Sequence, residues 1–66
     1  MCQAHVYLLQ EGEEEEILRD VIRLERTAEG VRLSTFFEEP RTVAAEVVEV
    51  DFLKHAVRLA PKEAGR

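Results

Sequence analysis

Apolar and polar residues alternate along much of this chain. In residues 3–10, Ala4, Val6 and Leu8 share one face while His5, Tyr7 and Leu9 share the other. Both faces carry apolar groups, which predicts a largely covered strand. Residues 30–37 place Val31, Leu33 and Thr35 on one face, opposite Arg32 and Ser34. In residues 46–52 the alternation predicts Val48, Val50 and Phe52 inward, with Glu49 and Asp51 outward. Val57 and Leu59 flank Arg58 in the same manner over residues 56–60. The valines favour pleated, half-buried positions.

Residues 13–26 support two readings. Ile17, Leu18, Val21, Ile22 and Glu25 recur with helical spacing, acids lead, Arg23 and Arg26 come late, and Gly30 follows as a stop signal. The strand reading divides the segment at Arg19-Asp20, turns Ile22 and Leu24 inward, and uses Thr27-Ala28-Glu29-Gly30 as a turn into Val31. It gives strands near 2–10, 14–18, 21–26, 30–36, 46–52 and 56–60, and a short piece near 41–43. Such short strands joined by tight turns predict an all-β fold, a small barrel or sandwich of six to seven antiparallel strands.

The 66 residues suffice for one domain, expected over residues 1–60. The segment from Pro61 to Arg66 has no apolar anchor and is expected to fray. A chain of this size removes only about 60% of its unfolded surface from water, so its core needs support. One cysteine excludes an internal disulfide, leaving a metal shared between subunits or simple dimerisation. The net charge of −5 argues against bulk phosphate binding, hence against nucleic acid and anionic membranes. No apolar run approaches the roughly 20 residues of a membrane-spanning helix, and no secretory signal is visible. A reducing cytoplasm, where Cys2 persists as a thiol, is the expected compartment.

Cys2 is where unusual chemistry can arise. Near a chain end a cysteine packs poorly, but its sulfur lies beside backbone nitrogens. With Met1 retained, the Met1 amine, the Cys2 amide nitrogen and the Cys2 thiolate close two five-membered chelate rings. With Met1 trimmed, the Cys2 amine and thiolate close one. Two such chains then supply a planar set of two nitrogens and two sulfurs, which suits Ni(II) or copper. A two-fold axis doubles each ligand, consistent with a homodimer. The plain alternative is a small apolar side chain near a terminus.

Met1-Cys2-Gln3-Ala4 followed by Val6-Tyr7-Leu8 resembles the opening of the CooT-type nickel-binding proteins. Val50-Asp51-Phe52-Leu53-Lys54-His55, running into Val57-Arg58-Leu59, resembles their closing hairpin. Asp20-Val21 and the run from Val31 to Glu38 look like the family's middle segments. The resemblance covers about residues 1–60, and its most specific element is the cysteine directly after Met1. It implies a small all-β, Sm/SH3-like subunit that forms homodimers, binds nickel through Cys2 and delivers it to a client such as carbon monoxide dehydrogenase. Members have also been described as predicted RNA-binding. The resemblance moves residues 13–26 toward strands. One departure is Glu39, where a glycine-containing turn is expected; it affects the loop 38–42.

Other groups weigh less. Cys2 and His5 from two chains could form a tetrahedral Zn(II) set, but on a strand their spacing sends them to opposite faces. His5 is therefore expected as a partly stacked surface residue beside Tyr7. His55 falls in the turn Leu53–Ala56, where histidine tolerates left-handed backbone. Tyr7 is expected at the core rim with its hydroxyl on a polar partner. Glu13 to Glu16 alternate faces on a strand and do not converge on one ion; a solvated turn is expected. No catalytic triad, paired catalytic acid or phosphate loop appears, so an enzyme is not expected. The metal set is thus Cys2, Met1 and His5, the cargo Ni(II) with Zn(II) or copper as alternatives. The competing reading is a small β-barrel interaction module, possible as an RNA binder, with Cys2 incidental. Three Phe and one Tyr give such a surface few stacking platforms.

Overall fold

The structure is a computed structural model that describes residues 3–62. Its strands are β1 (Ala4–Gln10), β2 (Glu13–Arg26), β3 (Val31–Thr35), β4 (Arg41–Val43), β5 (Ala45–Asp51) and β6 (Ala56–Pro61). They form one sheet in the order β4-β3-β2-β1-β6-β5. The sheet curls into a half-barrel, bringing β3 toward β5. The all-β expectation holds, and the helical reading of residues 13–26 is excluded. The described residues include no helix long and apolar enough to cross a membrane.

The first hairpin follows from its turn. Glu11 and Gly12 both have positive φ, 54° and 78°, as a two-residue turn matching the twist of paired strands requires. Glu13 to Glu16 are therefore not a turn but the start of β2.

β2 is one strand of 14 residues, where two had been expected. Arg19-Asp20 marks a bend rather than a break. Ala4 pairs with Val21 and Val6 with Leu18, so β2 carries an extra residue there; a second shift follows between Val6 and Tyr7. Asp20 absorbs the first with a left-handed φ of 60°, a conformation aspartate tolerates better than most residues. Bulges bend and twist a strand. Glu13–Leu18 and Val21 pair with β1, while Val21–Arg26 pair with β3, so Val21 serves both neighbours.

The core consists of Val6, Val21, Val31, Leu33, Ala45 and Leu59, with Ala4, Leu8, Leu18, Leu24, Val47 and Val57 among the residues packed against it. Two expected inward sets need correction. Ile22 is 45% exposed, because it is the extra residue between the pairs Val21↔Thr35 and Arg23↔Ser34. In β5 the inward residues are Ala45 and Val47, whereas Val48, Val50 and Phe52 are exposed. Val48 is the extra residue between Val47↔Leu59 and Glu49↔Arg58, and such a slip reverses which residues face inward.

Three further differences concern connectivity. β1 and β6 pair parallel, so the sheet is not wholly antiparallel. Pro61 belongs to β6, and Lys62 donates its amide to the Ala44 carbonyl at 3.1 Å; residues 63–66 of the expected tail lie outside the described residues. In the loop after β3, residues 36–38 bend and Pro40 precedes β4, without the glycine turn.

Candidate metal centre

Met1 and Cys2 lie outside the described residues, so their expected ligand role is not placed. What can be described is the platform from which they extend. Gln3 leads into β1, whose Ala4 pairs with Val21, and Val21 pairs with Thr35. On the other side His5 pairs with Ala56 and donates its backbone N–H to the His55 carbonyl at 2.8 Å. β1 is thus held on both edges within two residues of Gln3.

His5 is the expected ligand that falls within the described residues. Its side chain is 41% exposed, and Nδ1 lies 3.0 Å from Glu16 Oε2. Glu16 also accepts a hydrogen bond from Arg19 at 3.0 Å. The Arg19 hydrogen bond holds the Glu16 carboxyl below its usual range, against opposing desolvation and with further help from His5. A neutral His5 that donates Nδ1–H to this carboxylate keeps the Nε2 lone pair free. That is the tautomer in which histidines bind metals when a carboxylate orients them.

His55 takes the left-handed conformation expected for it, with φ 54°. The turn it closes is capped by Asp51, whose Oδ1 accepts the Lys54 amide at 3.0 Å. Among the described residues, no three His, Asp or Glu side chains converge on one point.

Tyr7 lies under Arg58, with the guanidinium carbon 5.5 Å from the ring centroid. Arg58 donates to Glu14 at 3.1 Å and Glu49 at 3.0 Å. Burial pulls against the Arg58 charge, but these two carboxylates more than offset it and raise its pKa. Glu14 and Glu16 are therefore engaged by cations of the fold. The glutamate run alternates between faces, and its members do not meet at one ion.

Sequence reasoning missed a surface at the same end of the sheet. Phe36 and Phe37, just beyond β3, are 58% and 95% exposed, while Phe52 and Leu53, just beyond β5, are 84% and 89% exposed. The two Phe rings are 6.1 Å apart and tilted by 54°. With Gln3, Leu18, Asp20 and Glu38 they border a groove of about 310 Å³. The available signal was two pairs of large apolar residues in segments that should be polar turns.

The fold has a close counterpart among solved structures. A crystal structure provisionally described as CooT from Carboxydothermus hydrogenoformans superposes with a TM-score of 0.84 at 24% identity, covering 94% of this chain and 100% of that one. No curated protein matches the sequence. The family profile of the CO dehydrogenase accessory protein CooT matches residues 1–60. The chain belongs to the CooT family, accessory to CO dehydrogenase and not itself an enzyme.

Proposed function

We propose that this protein carries nickel to CO dehydrogenase during that enzyme's maturation, holding Ni(II) between the Cys2 residues of two subunits. The single observation behind the reading is a cysteine directly after Met1 in a chain whose residues 1–60 match the CooT family. CO dehydrogenase is a nickel enzyme, which supplies the client and the cargo. The donor chemistry fits: a thiolate with adjacent backbone nitrogens forms five-membered chelates, and two chains complete a planar N/S set favoured by Ni(II) over Zn(II). The working compartment is the cytoplasm, where the thiol stays reduced.

His5 lies on β1, three residues beyond Cys2, with Nδ1 3.0 Å from Glu16 Oε2. In the planar N/S reading it is not a ligand; in a tetrahedral Zn(II) reading it is. Nickel titration by calorimetry and absorbance, on wild type, Cys2→Ser and His5→Ala, separates these. The expected result is one Ni(II) per dimer, lost in Cys2→Ser alone, with a visible band from planar thiolate-bound nickel. Affinity should fall at lower pH as protons compete for the donors. Wild-type affinity in Cys2→Ser would end the nickel reading, and an equal loss in His5→Ala would replace the ligand set.

A further inference from the structure

We propose that the outer edge of β2 over residues 13–17 accepts an extended basic segment of a partner protein by strand addition. The inference is independent of where nickel binds, since this edge lies at the end of β1 away from Cys2.

The register leaves this edge open. Glu13 to Glu16 pair with Gln10 to Tyr7 of β1 without a shift, while β3 joins the other side of β2 only at Val21. Among the described residues, no backbone group bonds to that side of residues 13–17. What does reach it is a cation: the Arg41 guanidinium, from β4, donates to the Ile17 carbonyl at 3.2 Å. Glu13 to Glu16 are exposed and Ile17 is half-buried. An unpaired strand edge is a template for another strand, and five residues offer it about 17 Å. A peptide that adds to such an edge gains main-chain hydrogen bonds, and its alternate side chains supply specificity.

Charge chooses the guest. Leu8 stands opposite Glu15 and packs against the core, so Glu15, and Glu13 two residues before it, lie on the core side of the strand. With Leu8, Gln10 and Glu11 they border a hollow of about 260 Å³. Among the described residues, no cation pairs with Glu13 or Glu15. On the opposite face Glu14 is held by Arg58, and Glu16 by Arg19 and His5. A guest strand therefore meets two unneutralised carboxylates at alternate positions, a spacing that lysine or arginine at its own alternate positions matches. The net charge of −5 attracts a basic segment and repels an acidic one. The strands that end the sheet are poorer hosts: β4 has three residues, and the extra residue Val48 interrupts β5.

The test is fluorescence anisotropy at low salt with a labelled, end-capped peptide alternating lysine and valine, and amide hydrogen exchange to locate it. The proteins are wild type, the double variant Glu13→Gln/Glu15→Gln, and Glu46→Gln, an exposed acid on β5; circular dichroism verifies the fold of each. Wild type should bind the peptide, with exchange slowed within residues 13–17. The double variant should bind about fivefold more weakly, and Glu46→Gln as wild type does. Two further peptides, methylated on the lysine or on the valine backbone nitrogens, keep the charge but remove one set of donors, so one of them should lose binding. No binding to wild type overturns the proposal and leaves the glutamates as guards against edge pairing. Undiminished binding of both methylated peptides, equal binding of a glutamate–valine peptide, or slowed exchange on β5 in place of residues 13–17 overturns it as well.

Discussion

Gly30→Ala should come close to unfolding this protein. Gly30 has φ 151°, and a Cβ built on it would stand 2.1 Å from the Val43 carbonyl oxygen and 2.9 Å from the Ala45 nitrogen. These are backbone atoms, so no side-chain rotation relieves the contact. The turn around it is also fixed: Thr27 donates its amide to the Gly30 carbonyl at 2.7 Å, and Gly30 donates to Thr27 Oγ1 at 3.1 Å. Holding an alanine in a glycine backbone region costs about 1–3 kcal/mol. Displacing the packed segment Val43–Ala45 costs about another 1–3 kcal/mol, against a gain of under about 1 kcal/mol from the stiffer unfolded chain. The net loss is about 1–6 kcal/mol, where a domain of this length has about 3–10 kcal/mol in total. Gly12→Ala is the matched control, because Gly12 also has positive φ, 78°, but nothing within 4 Å of its Cβ position. It should lose only the left-handed strain, about 1–2 kcal/mol. Urea unfolding followed by circular dichroism, at equal protein concentration, reads both. A Gly30→Ala loss no larger than that of Gly12→Ala would refute the argument from backbone approach.

Two more outcomes follow from burial and charge. Leu59→Ala removes a fully buried side chain and should destabilise by about 2–5 kcal/mol. Leu53→Ala removes one that is 89% exposed and should stay within about 0.5 kcal/mol; similar losses would contradict the core assignment. Glu25 is held below its usual pKa of 4.5, first by the Arg32 hydrogen bond, with desolvation opposing and Arg23 adding. A depressed carboxyl contributes stability that is fully present above its unfolded value and disappears as pH falls through the folded one. Wild type should therefore lose melting temperature as pH falls below about 4.5, and Glu25→Gln should flatten that loss; an unchanged slope in the variant would assign the acid sensitivity elsewhere.

Much of the fold was legible because strand alternation is a local property. Val31, Leu33 and Thr35 face as their spacing requires, and Thr27-Ala28-Glu29-Gly30 turns into β3 as expected. What escaped was the placement of bulges. Ile22 and Val48 sit in apolar runs that fit either phase, and a one-residue slip leaves no compositional mark. The parallel pairing of β1 with β6 escaped for a different reason: it joins segments at opposite ends of the sequence, and nothing local encodes it. At the site, Cys2 lies outside the described residues, so only His5 and its surroundings compare with the sequence reading. The Glu16 contact to His5 was not legible, since it depends on the register that sets Tyr7 opposite Glu16. Phe36, Phe37, Phe52 and Leu53 read as strand residues or turn filler, because exposure is decided only once the strands end.

The parallel pair also orders events in time. β1 is made first, yet its partner along one whole edge is the last strand, with His5 opposite Ala56. Closing that pair loops about fifty residues, an entropy that local hairpins such as β1–β2 avoid. A nascent chain can therefore form the first hairpin early while the other edge of β1 stays open until β6 emerges. The His55 carbonyl that fixes the His5 amide arrives with it. The start of β1 is therefore held on both edges only after β6 has been made and has paired with it.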